Sequence, residues 1–292
     1  MTHTIDLHVH SCFSDGTCTP GQLIQLAKAR RLSAIALTDH DTVAGIAEAI
    51  DTASGSGIEL IPGIEMSCLY GGKDIHIVGL LIDHKNPSLL HSVRRYQNNR
   101  ANRNVLMAEK LTAGGFLVTV PELERQFPGA TLTRAHFAKF FMEKGVWHNK
   151  DEAFNKYIGE GCPFYVKKTY VSPDEAIDVI HRAGGIATLA HPLLYHMTDQ
   201  ELESMVAHLK TLGLDGIETM YSTYSDAQQL YMLHLAADYQ LLKSGGSDFH
   251  GANKPDISLG TGYGKLRVPY SYLHIIKEYI QEKNQKKIMP AQ

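Results

Sequence analysis

The sequence predicts an α/β chain folded as an irregular β/α barrel with a helical insert, and three observations carry that expectation. Seven short β-branched and apolar runs recur along the 292 residues, at 4–8, 33–37, 59–65, 74–82, 186–190, 215–220 and 240–243, the pattern of buried strands. Helical patterns lie between most of them, the alternation expected of a largely parallel sheet. One stretch, 87–168, breaks the rhythm: it is helical in pattern throughout and holds no convincing strand.

Taken in chain order, the first run ends in His8-Val9-His10, and Thr19-Pro20-Gly21-Gln22 then opens a helix with an N-cap, a proline at N1 and a glutamine at N3. The second run closes on Asp39-His40-Asp41 and the third on Glu65. Tyr70-Gly71-Gly72-Lys73 joins the third run to the fourth without a helix, and so predicts a hairpin. The helical stretch includes a long polar helix bearing Arg94, Arg95, Arg100 and Arg103. It reads as an inserted helical subdomain over 87–168, with 1–86 and 169–292 forming the barrel. Ser172-Pro173-Asp174-Glu175 is a second capped helix start, and Gly184-Gly185 stops that helix just before the fifth run. His191 follows the fifth run, Glu218 closes the sixth, and Asp248 and His250 follow the seventh. The Lys-rich tail at 282–292 reads as a solvated end.

Composition narrows the class. At 43% apolar and 20% charged residues, without internal repeats, the chain is neither disordered, collagenous nor coiled coil. No apolar stretch approaches the ~18 residues of a membrane span, and residues 1–10 have neither the basic nor the apolar region of a signal peptide. Cys12, Cys18, Cys68 and Cys162 form no CxxC pair, which fits reduced thiols and a cytoplasmic setting. The net charge of −3 excludes long duplex nucleic acid and anionic membrane as bulk partners. That total hides an asymmetry. Residues 94–168 hold thirteen Lys/Arg and seven Asp/Glu, a net of +6, leaving −9 for the rest.

Sixteen histidines are the compositional oddity. Side chains repeat every two residues along a strand, so His8 and His10 share one side, the geometry of two ligands to one ion. A β/α barrel carries its chemistry at the C-terminal rim, where His8, His10, Asp15, His40, Glu65, His76, His191, Asp248 and His250 would converge from distant parts of the chain. Nine donors exceed one ion. Imidazole and carboxylate without thiolate favour Mn, Fe(II) or Zn, and two or three such ions would bridge an attacking hydroxide and clamp a phosphoryl oxygen. Such a positive cluster calls for an anionic ligand, with phosphate esters first, and the basic insert would add contacts to it.

The strings IDLHVHS (5–11), SDG (14–16), ALTDHD (36–41), PGIE (62–65), IHIVG (75–79), AHP (190–192) and GSDFH (246–250) together resemble the polymerase and histidinol phosphatase, or PHP, family over nearly the whole chain. The resemblance implies a distorted (β/α)7 barrel with a trinuclear metal centre. By position, His8, His10, Glu65 and Asp248 would hold one ion, Glu65 (bridging), His76 and His191 a second, and Asp15, His40 and His250 a third. TRAHFA (133–138) and NKYI (155–158) resemble the family's small phosphoesterase branch, whose activities include nucleotide bisphosphate phosphatase, exoribonuclease on short RNA and cyclic phosphate dihydrolase. On that resemblance Arg134, with His136 and Lys156, would grip a substrate phosphate, and Asp248 or His196 would handle protons.

Departures bear on the substrate. HPLLY (191–195) and Gly161-Cys162 stand where these branches tend to carry HPGRY and a Gly-Lys pair, removing two cationic contacts, while YSTY (221–224) and GANKP (251–255) differ as well. Lys254 could restore one charge at the rim, though an isolated loop lysine is more often solvated. The expected activity is thus a metal-dependent phosphoesterase acting on nucleotides, small sugar phosphates or a short oligonucleotide. Two alternatives stand beside it: an amidohydrolase, which would want a bridging carbamylated lysine at a strand end, and a non-catalytic metal-binding module.

Overall fold

The computed structural model describes residues 3–167 and 171–288. The expected insert boundary at 168/169 and the last four residues of the tail lie outside them. The elements run β1 (Thr4–Val9), α1 (Pro20–Ala29), β2 (Ala34–Leu37), α2 (Ile46–Ala53), β3 (Glu59–Tyr70), β4 (Lys73–Leu80), α3 (Pro87–Ala113), α4 (Val120–Gln126), α5 (Arg134–Glu143) and α6 (Lys150–Glu152). A π-helical turn (Ala153–Ile158) continues α6. Then come α7 (Pro173–Arg182), β5 (Ile186–Leu189), α8 (Asp199–Thr211), β6 (Gly216–Tyr221), α9 (Asp226–Asp238), β7 (Leu242–Gly246), β8 (Val268–Pro269) and α10 (Tyr270–Ile288).

The strands form one sheet in the order β7-β6-β5-β4-β3-β2-β1-β8. It curls nearly shut. The His10 N–H donates to Phe249 O (3.0 Å) and the Asp248 N–H to His8 O (2.9 Å), so the segment leaving β7 is stitched to the end of β1. All neighbours pair in parallel except β4, antiparallel to both β3 and β5, and the two-residue β8 against β1.

The hairpin at Gly71-Gly72 forms as expected, both glycines adopting positive φ. Four expectations are corrected. There are eight described strands rather than seven, because β8 is too short to leave a periodic signal. β3 runs on to Tyr70, and β7 extends through Gly246 rather than ending at 243. The Ser-Gly-Gly stretch looks like a turn, but a Cβ on Gly246 would sit 2.4 Å from the His8 Cβ. Those glycines allow β1 and β7 to approach. At Ser172 the side chain makes no capping bond, and the Glu175 carboxylate, which a capping box would turn back to the Ser172 N–H, pairs instead with Arg95 and the Tyr96 hydroxyl of α3.

Two buried clusters fill and surround the barrel, and a third lies among the helices of 87–167, where Phe137, Phe141 and Trp147 are its largest buried side chains. The helix α3 joins the two regions. Leu89, Val93 and Tyr96 pack with the barrel, whereas Met107, Ala108 and Leu111 pack with the helical cluster. No disulfide is present among the described residues, and no described helix is long and apolar enough to cross a membrane.

At the end of the barrel opposite the strand ends near His10 and Glu218, Asp215 ties α7 and α10 to the sheet. His181 Nε2 (2.6 Å) and the Ala187 N–H (2.9 Å) meet one of its oxygens, Tyr279 O–H (3.0 Å) and Lys283 Nζ (3.1 Å) the other. Burial pushes this carboxyl up, but the bonds from His181 and Ala187 and the nearby positive charge hold it below its ordinary 3.8. A depressed folded pKa contributes stability above the unfolded value, lost as pH falls through the folded one. Asp215→Asn should therefore cost about 2 kcal/mol at pH 7, and its melting-temperature gap from wild type should narrow below about pH 4. A gap that stays constant to pH 3 would assign the loss to packing instead.

Candidate metal centre

The strand ends bring the predicted side chains together. His8 and His10 project from β1 to the same side, their Nε2 atoms 3.1 Å apart. Glu218 of β6 fixes His8: its Oε1 lies 2.8 Å from His8 Nδ1, which turns Nε2 toward the cluster, and its Oε2 accepts from the His191 N–H at 2.6 Å. His76 reaches the same rim because β4 runs against its neighbours, so the first half of β4 lies beside the last residues of β3 and β5. Its carbonyl accepts from the Ala190 N–H (3.0 Å), placing it beside His191.

Glu65 sits at the centre. Its Oε1 faces His76 Nδ1 (2.8 Å) and His191 Nε2 (3.0 Å), while Oε2 faces His40 Nδ1 (3.0 Å), His10 Nε2 (3.1 Å) and His8 Nε2 (3.4 Å). Asp15 Oδ1 lies 3.2 Å from His250 Nε2, and Asp248 Oδ1 lies 3.3 Å from both His10 Nε2 and His250 Nδ1. Four overlapping groups could each hold an ion: His10, Asp15, His40 and His250; His8, Glu65 and His191; His8, His10 and Asp248; and His40, Glu65 and His76. All nine expected residues fall within them, although His8, His10, His40 and Glu65 are shared between groups where the resemblance implied a cleaner division.

The donor chemistry fits divalent cations. Glu65 Oε2, Asp15 Oδ1, His40 Nδ1 and His191 Nδ1 are buried and make no aligned hydrogen bond within the protein, a costly arrangement that coordination would relieve. Burial alone would raise the carboxyls of Asp15, Glu65 and Asp248, but the surrounding imidazoles, with Lys254 beside Asp248, hold all three well below the ordinary range. Burial pushes His40 down to about 3 and His250 to about 4, keeping their rings neutral and their lone pairs available. For His10 burial is outweighed by Asp248 and Glu65, which take it up to about 9.

Buried carboxylates brace these loops. Asp39 accepts from the Ser11 N–H (2.7 Å), Ser11 Oγ (2.6 Å) and Ser14 Oγ (2.5 Å), fixing the turn that carries Asp15. Asp6 accepts from Ser247 and Gly260, fixing the segment before Asp248. Asp41, His191 and Asp248 all have positive φ, 50°, 29° and 55°, backbone strain of the kind stored at functional sites.

Above the cluster a cavity of about 310 Å³ opens between the rim and the helices of 87–167. Arg100, Arg103, Arg134, Lys150 and Lys254 line it, with Phe154, Tyr165 and Tyr221. The Arg134 guanidinium lies over the Phe154 and Tyr165 rings, 5.7 and 5.5 Å from their centroids, and 3.5 Å from Asp74.

The other three candidate side chains lie elsewhere. His136 is the N3 residue of a capping box, its Nδ1 accepting from the Thr133 N–H (2.9 Å), and its ring is buried against Phe127. Lys156 is exposed and pairs with Glu152 one turn away (3.2 Å). His196 is exposed beyond the Pro192–Tyr195 turn and is absent from the cavity wall. Asp248, held ionised, is suited to orienting and ligating rather than to donating a proton. Lys254, weighed as a solvated lysine, is instead three-quarters buried at the rim, its Nζ 2.6 Å from Asp248 Oδ2. The basic character of 94–168 predicts cationic contacts from the insert, but nothing in the sequence singles out Arg100, Arg103 and Lys150 as the side chains that line the cavity.

Known proteins resemble the chain along most of its length. The family described as PHP domain matches residues 6–122. A 5′-3′ exoribonuclease of Haemophilus influenzae is 37% identical over 86% of this chain and 91% of its own length. A 3′,5′-nucleoside bisphosphate phosphatase of Chromobacterium violaceum is 35% identical over 88% of this chain and 90% of its own. A solved structure described as an amidohydrolase from Chromobacterium violaceum, with bound sulfate and no metal, superimposes with a TM-score of 0.84 at 33% identity, over 93% of this chain and 96% of that one. With the motifs at the rim of a barrel and relatives of this identity matched along most of their length, the chain belongs to the PHP family.

Proposed function

We propose that this chain is a metal-dependent phosphoesterase whose rim cluster holds two or three divalent cations and whose cavity receives a small phosphorylated substrate: a nucleotide, a sugar phosphate or the end of a short RNA. One observation carries the reading. The two oxygens of Glu65 face two different sets of imidazoles at 2.8–3.4 Å, the placement of a bridging ligand. On the resemblance, His8, His10 and Asp248 would complete one site with Glu65; His76 and His191, both against Glu65 Oε1, a second; and Asp15, His40 and His250 a third. The nitrogen and oxygen donors suit Mn, Fe(II) or Zn, and when bound, these ions supply Lewis acidity and an acidified water.

The protein's own residues bind and orient. Residues 87–168 act as a cap over the barrel formed by 1–86 and 169–292, and its cations turn the cavity into an anion trap. Arg134, steadied by Phe154, Tyr165 and Asp74, presents its guanidinium to a phosphate oxygen. The two aromatic rings beside it offer an apolar wall to a nucleobase or sugar face. Names of the relatives support both a nucleotide and a short-RNA substrate, and the cysteine spacing supports a reducing, cytoplasmic setting.

Arg134→Ala should lower kcat/KM roughly 10- to 100-fold with metal content unchanged; loss of metal by this variant would make Arg134 a structural residue. The reading as a whole is tested by phosphate release from nucleotide bisphosphates, cyclic ribose phosphates, histidinol phosphate and short RNAs with Mn-loaded protein. Turnover of at least one is expected, and silence across the panel refutes it. The description of the solved relative as an amidohydrolase favours a second reading, tested by amine release from amides. That chemistry wants a carbamylated lysine between ions, but Glu65 holds the bridging place and Lys254 is paired with Asp248.

A further inference from the structure

The carboxylate of Asp248 is divided between two environments. Its Oδ1 faces the imidazoles, 3.3 Å from His10 Nε2 and His250 Nδ1 and 3.7 Å from His8 Nε2. Its Oδ2 points away from them and receives two donors at 2.6 Å each, the Tyr221 hydroxyl from the end of β6 and Lys254 Nζ from the loop after His250. Neither donor is loosely held. Tyr221 is buried, its ring 5.6 Å from that of His191 and 5.4 Å from that of Tyr224. The loop bearing Lys254 is tied to the turn bearing Asp15: Asn253 Nδ2 donates to Asp15 O and the Ala252 N–H to Thr17 Oγ1, both at 2.8 Å.

From this geometry we propose that Lys254 and Tyr221 are positioning residues that occupy the second oxygen of Asp248 and confine it to single-oxygen ligation, leaving a coordination position open for water or substrate. The inference rests on Asp248 being a ligand, as proposed above. The arrangement has an electrostatic consequence. An ammonium bonded to a metal ligand opposes cation binding by like-charge repulsion, so Lys254 weakens the hold on the ion while keeping the site open. An open position distinguishes catalytic from purely structural metal sites. The same ammonium lines the cavity, where an anionic substrate would meet it.

The prediction separates metal affinity from turnover. Lys254→Met should bind Mn(II) more tightly, roughly fivefold by competition with a chelating dye, yet turn over more slowly, because Asp248 can then close on the ion with both oxygens. Tyr221→Phe should shift both quantities in the same directions by less, and Lys254→Arg should restore wild-type values of each. Wild type and Asp248→Asn are titrated alongside. If wild type binds no Mn(II), or Asp248→Asn binds it as well as wild type does, the metal reading itself fails. If those two behave as expected but Lys254→Met binds Mn(II) equally or more weakly, Lys254 is only a structural partner and the proposal is overturned. Melting curves of every variant, taken without metal, show whether a weaker affinity reflects a damaged fold, and a variant that melts as wild type does but binds Mn(II) more weakly counts against the proposal.

Discussion

Glu65→Gln should lose on the order of a thousandfold or more in phosphate release, together with most of the bound metal. The side chain is only 1% exposed and has imidazoles against both oxygens. Glutamine keeps its volume but replaces one oxygen with an amide nitrogen that cannot ligate and removes the negative charge that balances the site. Because Glu65 faces five imidazoles, those of His8, His10, His40, His76 and His191, one substitution should empty neighbouring positions together rather than one at a time. Elemental analysis beside a turnover assay checks this. Retention of the wild-type metal complement with full activity would show that Glu65 bridges nothing.

The second large effect concerns the seam between the barrel and the helices above it. Arg100 of α3 forms an ion pair with Asp41, the residue after His40, and also approaches Ser67 Oγ at 3.4 Å. Both charged side chains are buried, 8% and 6% exposed. Arg100→Met removes the guanidinium from beside the buried Asp41 carboxylate, which costs about 3–5 kcal/mol. For a chain of this size that corresponds to a fall in melting temperature of roughly 6–20 °C. Asp41→Asn combined with Arg100→Met should recover part of the loss, since the buried carboxylate charge is removed together with its cation. A melting temperature within 2 °C of wild type for Arg100→Met alone would mean that this ion pair contributes little to holding the helical region on the barrel.

How legible the site was depended on how local each signal was. His8 and His10 declare a shared face through the two-residue repeat of a strand, and Glu65 and His191 stand where a strand pattern stops. His76 was visible only as a mid-strand histidine; its arrival at the rim follows from the Gly71-Gly72 hairpin, which reverses β4. The three misplaced candidates had local explanations available. Thr133 three residues before His136 is the spacing of a capping box, and Glu152 four residues before Lys156 is the spacing of a surface pair. His196 follows a short turn whose direction no periodicity reports. Which way Arg100, Arg103 and Lys150 face was illegible for a different reason. Each faces the cavity only because the helical region docks across the barrel mouth, a long-range event that hydrophobic patterning does not encode. The barrel itself was readable from its strand runs, apart from the two-residue β8, the far end of β3 and the end of β7, whose glycines serve close approach rather than a turn.

The most direct test of the metal-phosphoesterase account is a titration of Mn(II) into chelator-stripped protein, with phosphate release from a nucleoside bisphosphate followed at each step. The arrangement of His8, His10, Asp15, His40, Glu65, His76, His191, Asp248 and His250 requires activity to be absent at zero metal and to rise with occupancy to a plateau at two or three ions per chain. Phosphate release from fully stripped protein, or a filled cluster that turns over no phosphoester, would contradict it.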